Sequence, residues 1–161
     1  MGAQFIIIEN QKITDTHRDV FAGMLKAQGK VKGDLNTKAD RCKLICFAYC
    51  NGELASIGAL KRKTTSVFSA VKADLNTLEP EFEWELGYIY TVSKFQGKGL
   101  ACKVVEILLE SCGDQNLMAS TEISKNPIMV HILESNGFKL HGKTWKSGIH
   151  ENYLGLFLKF K

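Results

Sequence analysis

The sequence is short of proline. Of its 161 residues only 2 are proline, and its 14 glycines are far below the one-third of a collagen repeat, which excludes collagen-like and linker-like classes. No apolar run is longer than Leu44–Cys50, far below the ~18 residues that cross a bilayer as a helix, so no membrane span is expected. The opening stretch MGAQFIIIEN has no basic region and meets an acidic residue at Glu9, which argues against a secretory signal. An excess of one charge is missing too, since 21 Lys+Arg against 17 Asp+Glu leaves +4. With 45% hydrophobic residues the chain is too apolar for disorder. It also lacks the concentrated basic face of a nucleic-acid binder. No CxxC pair occurs among its 5 cysteines, at 42, 46, 50, 102 and 112. An odd count without that motif predicts reduced thiols and a cytoplasmic location. Cys42, Cys46 and Cys50 fall in a strand-like run, where even spacing puts them on one face as small buried hydrophobes.

What is present is an alternation of strand and helix signals. Phe5-Ile6-Ile7-Ile8 is a β-branched run. A helix is expected from an N-cap at Thr14 or Asp15 to Gly29, turning Val20, Phe21, Met24 and Leu25 inward. Residues 43–49 and 54–60 are two apolar runs joined through Asn51-Gly52, the signature of a tight hairpin. Residues 64–80 read as a polar excursion. Residues 81–92 alternate, with Phe82, Trp84, Leu86, Tyr88, Tyr90 and Val92 on one face and Glu81, Glu83 and Glu85 on the other. A helix follows with Leu100, Val104, Ile107 and Leu108 on one stripe, ending at Gly113. A short strand over 116–121 precedes a helix opened by Asn126-Pro127 and stopped by Asn136-Gly137. Two last strands are expected near 137–141 and 153–160. The order predicts one α/β domain over 1–161, of α+β type, with a mixed central sheet flanked by helices.

The most informative segment is Tyr90-Thr91-Val92-Ser93-Lys94-Phe95-Gln96-Gly97-Lys98-Gly99-Leu100-Ala101. A strand runs into a glycine-bearing loop that becomes the first turn of a helix. Free N–H groups and the helix dipole at such a place favour a phosphate or pyrophosphate. The alternative on local grounds is a tight strand-to-helix connection that uses glycine only for backbone freedom. The Walker spacing is absent. A G-x-G-x-x-G frame fails as well, because Gly97-Lys98-Gly99-Leu100-Ala101-Cys102 ends in cysteine.

Gln96, Gly99 and Ala101 satisfy the pattern Q/R-x-x-G-x-G/A, and the segment resembles the acetyl-CoA motif of the GCN5-related N-acetyltransferase (GNAT) superfamily. Trp84-Glu85-Leu86-Gly87-Tyr88-Ile89-Tyr90 is similar to that family's central strand, and Asn126 through Phe138 to its later N-x-x-(A/S)-x-x-x-x-E-x-x-G-F helix. The resemblance implies that loop amides from Gln96 through Gly97, Lys98, Gly99 and Leu100 to Ala101 hold the CoA pyrophosphate. It implies that Ile89, Tyr90 and Thr91 run along the pantetheine arm, one backbone N–H serving as oxyanion donor, and that Asn126 bonds that arm besides capping its helix. The implied activity is acetyl transfer from acetyl-CoA to an amine of a small molecule or protein, directly in a ternary complex and without a metal. A carboxylate at Glu85, or next to it on the same face Glu83, is the expected base. Cys102 is expected to pack and not to carry the acetyl group.

Three positions depart from the family pattern. The tyrosine that often protonates the leaving thiolate is replaced by Leu133, as in the ribosomal-protein-acetylating branch; Met129 replaces a small residue and Ser93 a proline. Tyr153, His131 and His150 are candidate substitutes for the acid. Residues 30–41, 64–80 and 141–153, with His141, Trp145 and His150, are the expected determinants of the acceptor. A rival reading is an acyl-CoA-binding sensor that no longer catalyses. An exposed last strand could pair two copies into a homodimer, which the sequence permits and does not require.

Overall fold

A computed structural model describes residues 2–148 and 152–161. Among the described residues seven strands and three α-helices follow in the expected order: β1 (Ala3–Glu9), α1 (Asp15–Gln28), β2 (Cys42–Cys50), β3 (Glu53–Arg62), β4 (Trp84–Thr91), α2 (Leu100–Cys112), β5 (Leu117–Glu122), α3 (Pro127–Ser135), β6 (Lys139–Lys146) and β7 (Tyr153–Lys159). The strand order is β1-β2-β3-β4-β5-β7-β6. The sheet is mixed as expected, β4 and β5 being parallel while β1–β2, β2–β3, β5–β7 and β6–β7 are antiparallel. The chain divides into two compact units, Met1–Lys61 with Leu86–Gly113 and Arg62–Glu85 with Asp114–Lys161.

In the first unit α1 forms where the sequence places it. Thr14 Oγ1 accepts from His17 N at 3.2 Å while His17 Nδ1 accepts from Thr14 N at 3.0 Å, a reciprocal cap that satisfies two donors at the helix start. Gly29 ends the helix at φ +73°, a left-handed conformation that glycine adopts without steric cost. Phe21, Met24 and Leu25 pack with Ile45, Phe47, Ile57 and Ala59 of the hairpin β2–β3. Ala22 is buried where Val20 was expected to be, because the inward stripe lies slightly round the helix. Successive residues of β3 point to opposite faces, so Gly58 faces α2 while Ile57 and Ala59 face α1. A Cβ on Gly58 would stand 2.5 Å from Val104 and 2.6 Å from Ile89, so α2 and β4 pack here only because that side chain is absent.

The three strand cysteines do not share one face. Lys43 is an extra residue of β2 between the pairs Cys42–Lys61 and Leu44–Leu60, which breaks the even spacing after Cys42. Cys42 joins the cluster under α1, Cys46 pairs with Gly58, and Cys50 packs beside Phe95 and Leu100. In α2 the buried stripe is Leu100, Val104, Val105 and Leu108, with Val105 taking the place expected of Ile107.

In the second unit Trp84 and Glu85 pair in parallel with Leu117 and Met118, and β5 continues antiparallel to β7. The supposed polar excursion carries core residues. Val67, Phe68 and Ala73 are buried with Phe82, Met118, Trp145, Leu156 and Leu158, held by short 3-10 turns at Thr65–Phe68 and Asn76–Glu81. Asn126 caps α3, its Oδ1 accepting from Met129 N at 3.3 Å, and Pro127 fills the first helical position.

Candidate functional site

The expected site residues of the first unit lie on one continuous stretch from the end of β4 into α2. The backbone of β4 is irregular at Tyr88, which has φ +56°. A left-handed tyrosine costs about 1–2 kcal/mol, so the surroundings must hold it. They do so through ring contacts: Phe21 meets it edge-on at 5.5 Å and Lys61 Nζ sits 4.9 Å from the ring centre.

Beyond Tyr88 the next three carbonyls each accept from a side chain. Gln28 Nε2 donates to Ile89 O at 3.1 Å, Ser56 Oγ to Tyr90 O at 3.0 Å, and Gln96 Nε2 to Thr91 O at 3.1 Å. Ser56 Oγ also lies 2.9 Å from Thr91 Oγ1. Gln96, expected to offer its backbone amide to the pyrophosphate, thus also ties the loop back to the strand before it through its side chain. Gln28 and Ser56 were not legible as site residues, since nothing in the local sequence distinguishes a helix-end glutamine or a strand serine.

The loop then rises through a 3-10 turn at Ser93–Phe95, with Phe95 buried and Gln96, Gly97, Lys98 and Gly99 exposed. Gly97 and Gly99 have φ +80° and +77°, and a Cβ on either would meet nothing within 4 Å. Backbone conformation, not crowding by the protein, requires glycine here. Gly99 caps α2 without a side chain, so the amides of Leu100, Ala101 and Cys102 are left as the unpaired donors of a helix start. Strand, left-handed glycines and an uncapped helix form a cradle of N–H groups open to solvent, with Lys98 beside it. An anionic phosphate group fits these donors.

The other expected residues lie in the second unit. Glu85 is 5% exposed, and its Oε1 accepts from Thr64 N at 2.9 Å and Thr64 Oγ1 at 2.8 Å. Glu83 is exposed and lines an open cavity of about 450 Å³ with Arg62, Lys63, Thr65, Pro80 and Phe82. Asn126 uses both ends of its amide, since Nδ2 also reaches Thr121 Oγ1 at 3.4 Å. Leu133 is fully buried. Trp145 is 6% exposed and belongs to the core cluster, not to a pocket wall. His131 is exposed with Ser135 Oγ at 3.4 Å, His141 packs on Phe160, Tyr153 is exposed, and His150 lies outside the described residues. Among the described residues no group of three or more His, Cys, Asp or Glu is placed to hold a metal ion. Burial pushes the thiols of Cys42 and Cys46 up to about 12, so both are protonated at neutral pH. Among the described residues no disulfide joins the cysteines.

No family model matches the sequence, and no curated protein matches it either. The fold, in contrast, has many counterparts among solved structures. Arabidopsis thaliana Naa50, in complex with the bisubstrate analogue CoA-Ac-MVNAL, covers 98% of this chain with 99% of its own at TM-score 0.70 and 11% identity. The Escherichia coli ribosomal-protein-S18-alanine N-acetyltransferase matches 97% of this chain over 93% of its own, at TM-score 0.65 and 16% identity. An acetyltransferase of the GNAT family from Streptococcus pneumoniae matches 98% of each chain at TM-score 0.64 and 16% identity. At such identities the likeness is one of fold: this chain has the fold of the GNAT acetyltransferases.

Proposed function

We propose that the chain is an acetyl-CoA-dependent N-acetyltransferase that passes the acetyl group to a primary amine of a small molecule or protein in a ternary complex. The observation that carries this reading is the N–H cradle formed by left-handed Gly97 and Gly99 at the uncapped start of α2. In the proposal the amides from Gln96 to Ala101 take the pyrophosphate, and the stretch Ile89–Thr91 lies along the pantetheine. Side-chain donors already occupy the Ile89, Tyr90 and Thr91 carbonyls, which fixes the peptide planes of this stretch. Such preorganisation is what an oxyanion donor needs, because a fixed dipole stabilises developing charge without reorganising.

Transfer then requires a neutral amine. Its nitrogen bonds to the acetyl carbonyl carbon, the carbon–sulfur bond breaks, CoA leaves as the thiolate, and the amine's surplus proton goes to a base directly or through water. Glu85 is our choice of base ahead of Glu83, because Thr64 anchors its buried carboxylate whereas Glu83 is exposed. Leu133 offers no proton, so thiolate release in this scheme does not use that position. The proposal keeps the protein in the cytoplasm, a compartment whose thiols stay reduced.

A fully buried Leu133 also favours a second reading, an acyl-CoA-binding sensor without turnover. A thiol-release assay over amines and peptides, run beside calorimetric titration of acetyl-CoA, separates the two. Turnover on any acceptor establishes the enzyme. Tight binding of acetyl-CoA with no turnover on any acceptor establishes the sensor, and no binding of acetyl-CoA overturns both.

A further inference from the structure

The edge strands of the sheet are β1 and β6. β7, the last strand, lies between β5 and β6, so the expectation that an exposed last strand pairs two copies is not met. An edge presents unpaired N–H and C=O groups, and folded proteins blunt it with lysine, a bulge or a covering loop. β6 has all three. Lys139, Lys143 and Lys146 are exposed along it, its register breaks between His141 and Trp145, and Lys143 N donates to Ala73 O at 2.9 Å. β1 has none of them. Its sequence Ala3-Gln4-Phe5-Ile6-Ile7-Ile8-Glu9 holds no lysine, proline or glycine, and its pairing with β2 runs unbroken from Ala3–Cys50 to Glu9–Leu44. Among the described residues no other strand or loop backbone bonds to its outer edge. Ile6, at its centre, is 36% exposed. A regular apolar strand left open in this way is a template for another strand.

We propose that β1 is the seam of a homodimer, in which two copies pair their β1 strands antiparallel about a two-fold axis at Ile6. The strand complements itself in this register. Ile6 falls opposite the partner's Ile6, Phe5 opposite the partner's Ile7, and Gln4 opposite the partner's Ile8. The strand's one charge, Glu9, falls opposite the partner's Ala3, so no like charges meet. The same operation on β6 sets Lys139 opposite the partner's Lys146, which repels. A second copy is the occupant that the geometry selects, because an isologous pair covers both open β1 edges at once and association then stops at two. The seam does not depend on acetyl transfer. Phe5, on the face opposite to Ile6, packs with Phe95 and Leu100 at the glycine loop, so a change at Ile6 leaves that cluster alone.

Sedimentation velocity on the whole chain over a range of concentrations tests this. The expected mass rises from the 17.9 kDa of one chain toward twice that value. It falls back on dilution, since a seam of two strands is small beside a standard interface. Ile6→Lys brings two ammonium groups together at the axis and should raise the dimer Kd at least about tenfold. Mixing Ile6→Lys with Ile6→Glu should restore the pair, opposite charges then facing each other across the axis. A milder change reads the register. Ile6→Cys places two thiols directly opposite and should cross-link on oxidation, whereas Gln4→Cys sets them about 13 Å apart along the strand and should not. Wild type that sediments as one chain at every concentration overturns the seam. A pair that Ile6→Lys leaves undiminished overturns it too, as does equal cross-linking of the two cysteine variants.

Discussion

Thr64 holds one oxygen of Glu85 twice, through its backbone N–H at 2.9 Å and its hydroxyl at 2.8 Å. Hydrogen bonds to a charged group contribute about 1.5–3 kcal/mol each. Thr64→Val keeps the shape and removes only the hydroxyl donor. The expected loss is about 2 kcal/mol, or roughly 4–8 °C in melting temperature for a chain of this size, read by circular dichroism. An unchanged melting temperature would mean that the hydroxyl bond contributes nothing. Under the proposed chemistry Glu85→Gln lowers kcat by about 10²–10⁴ at unchanged acetyl-CoA affinity. Glu83→Gln changes it little, and the reverse ranking would move the base to Glu83.

Gly99 is required by its φ of +77° and not by neighbours, since a Cβ there would touch nothing. Gly99→Ala should cost about 1–2 kcal/mol of stability and Gly99→Val more, because a branched side chain resists a left-handed backbone. Both should weaken acetyl-CoA binding at least about tenfold, or 1.4 kcal/mol. Gly99→Asn, which tolerates this conformation, should recover stability while its side chain still blocks the amides. Calorimetric titration with acetyl-CoA decides it: full affinity in a folded Gly99→Val protein would remove the cradle from the account.

Gly58→Ala probes how tightly the first unit is packed at β4. The added methyl would stand 2.5 Å from Val104, 2.6 Å from Ile89 and 3.1 Å from Leu108, so side chains must move. Overpacking of this kind costs about 1–3 kcal/mol. Displacing Ile89 should also raise the acetyl-CoA KM. Equal KM values in wild type and Gly58→Ala would show that α2 yields instead of β4.

The thiols of Cys42 and Cys46 are raised from 9.0 to about 12 by burial, Cys42 being eased slightly by the charges of Lys61 and Arg41. The folded chain therefore holds these protons more tightly than the unfolded one. Their contribution to stability is complete below about pH 9 and is lost as pH rises from 9 toward 12. Melting temperatures taken from pH 7 to 11 should fall above pH 9. At pH 8 a thiol reagent should modify these two cysteines only as fast as the protein unfolds; rapid labelling of either would contradict their burial.

Much of the fold was legible because short-range chemistry decides it. Thr14 and Gly29 bracket α1, Asn51-Gly52 turns the hairpin, and Asn126-Pro127 opens α3, each through a backbone preference its own residues carry. The glycine loop was legible for the same reason. The polar excursion was misjudged because scattered Val67, Phe68 and Ala73 have no period, and only packing against Phe82 and Trp145 buries them. Asp-Leu-Asn-Thr makes the point within one chain. At 34–37 the aspartate has φ −73° and caps the turn that follows, while at 74–77 the same aspartate sits at φ +61°.

The short apolar runs, the helix caps and the two glycines before α2 pointed to an alternating α/β chain with a glycine-bearing strand-to-helix loop. Those features act within a few residues, where backbone dihedrals and hydrogen-bond caps dominate. Tertiary structure alone decided that Tyr88 is left-handed, that Glu85 is buried against Thr64, and that Gln28 reaches Ile89. Each of these joins residues distant in sequence or imposes a strained conformation. The surrounding packing stabilises it, and no local preference announces it.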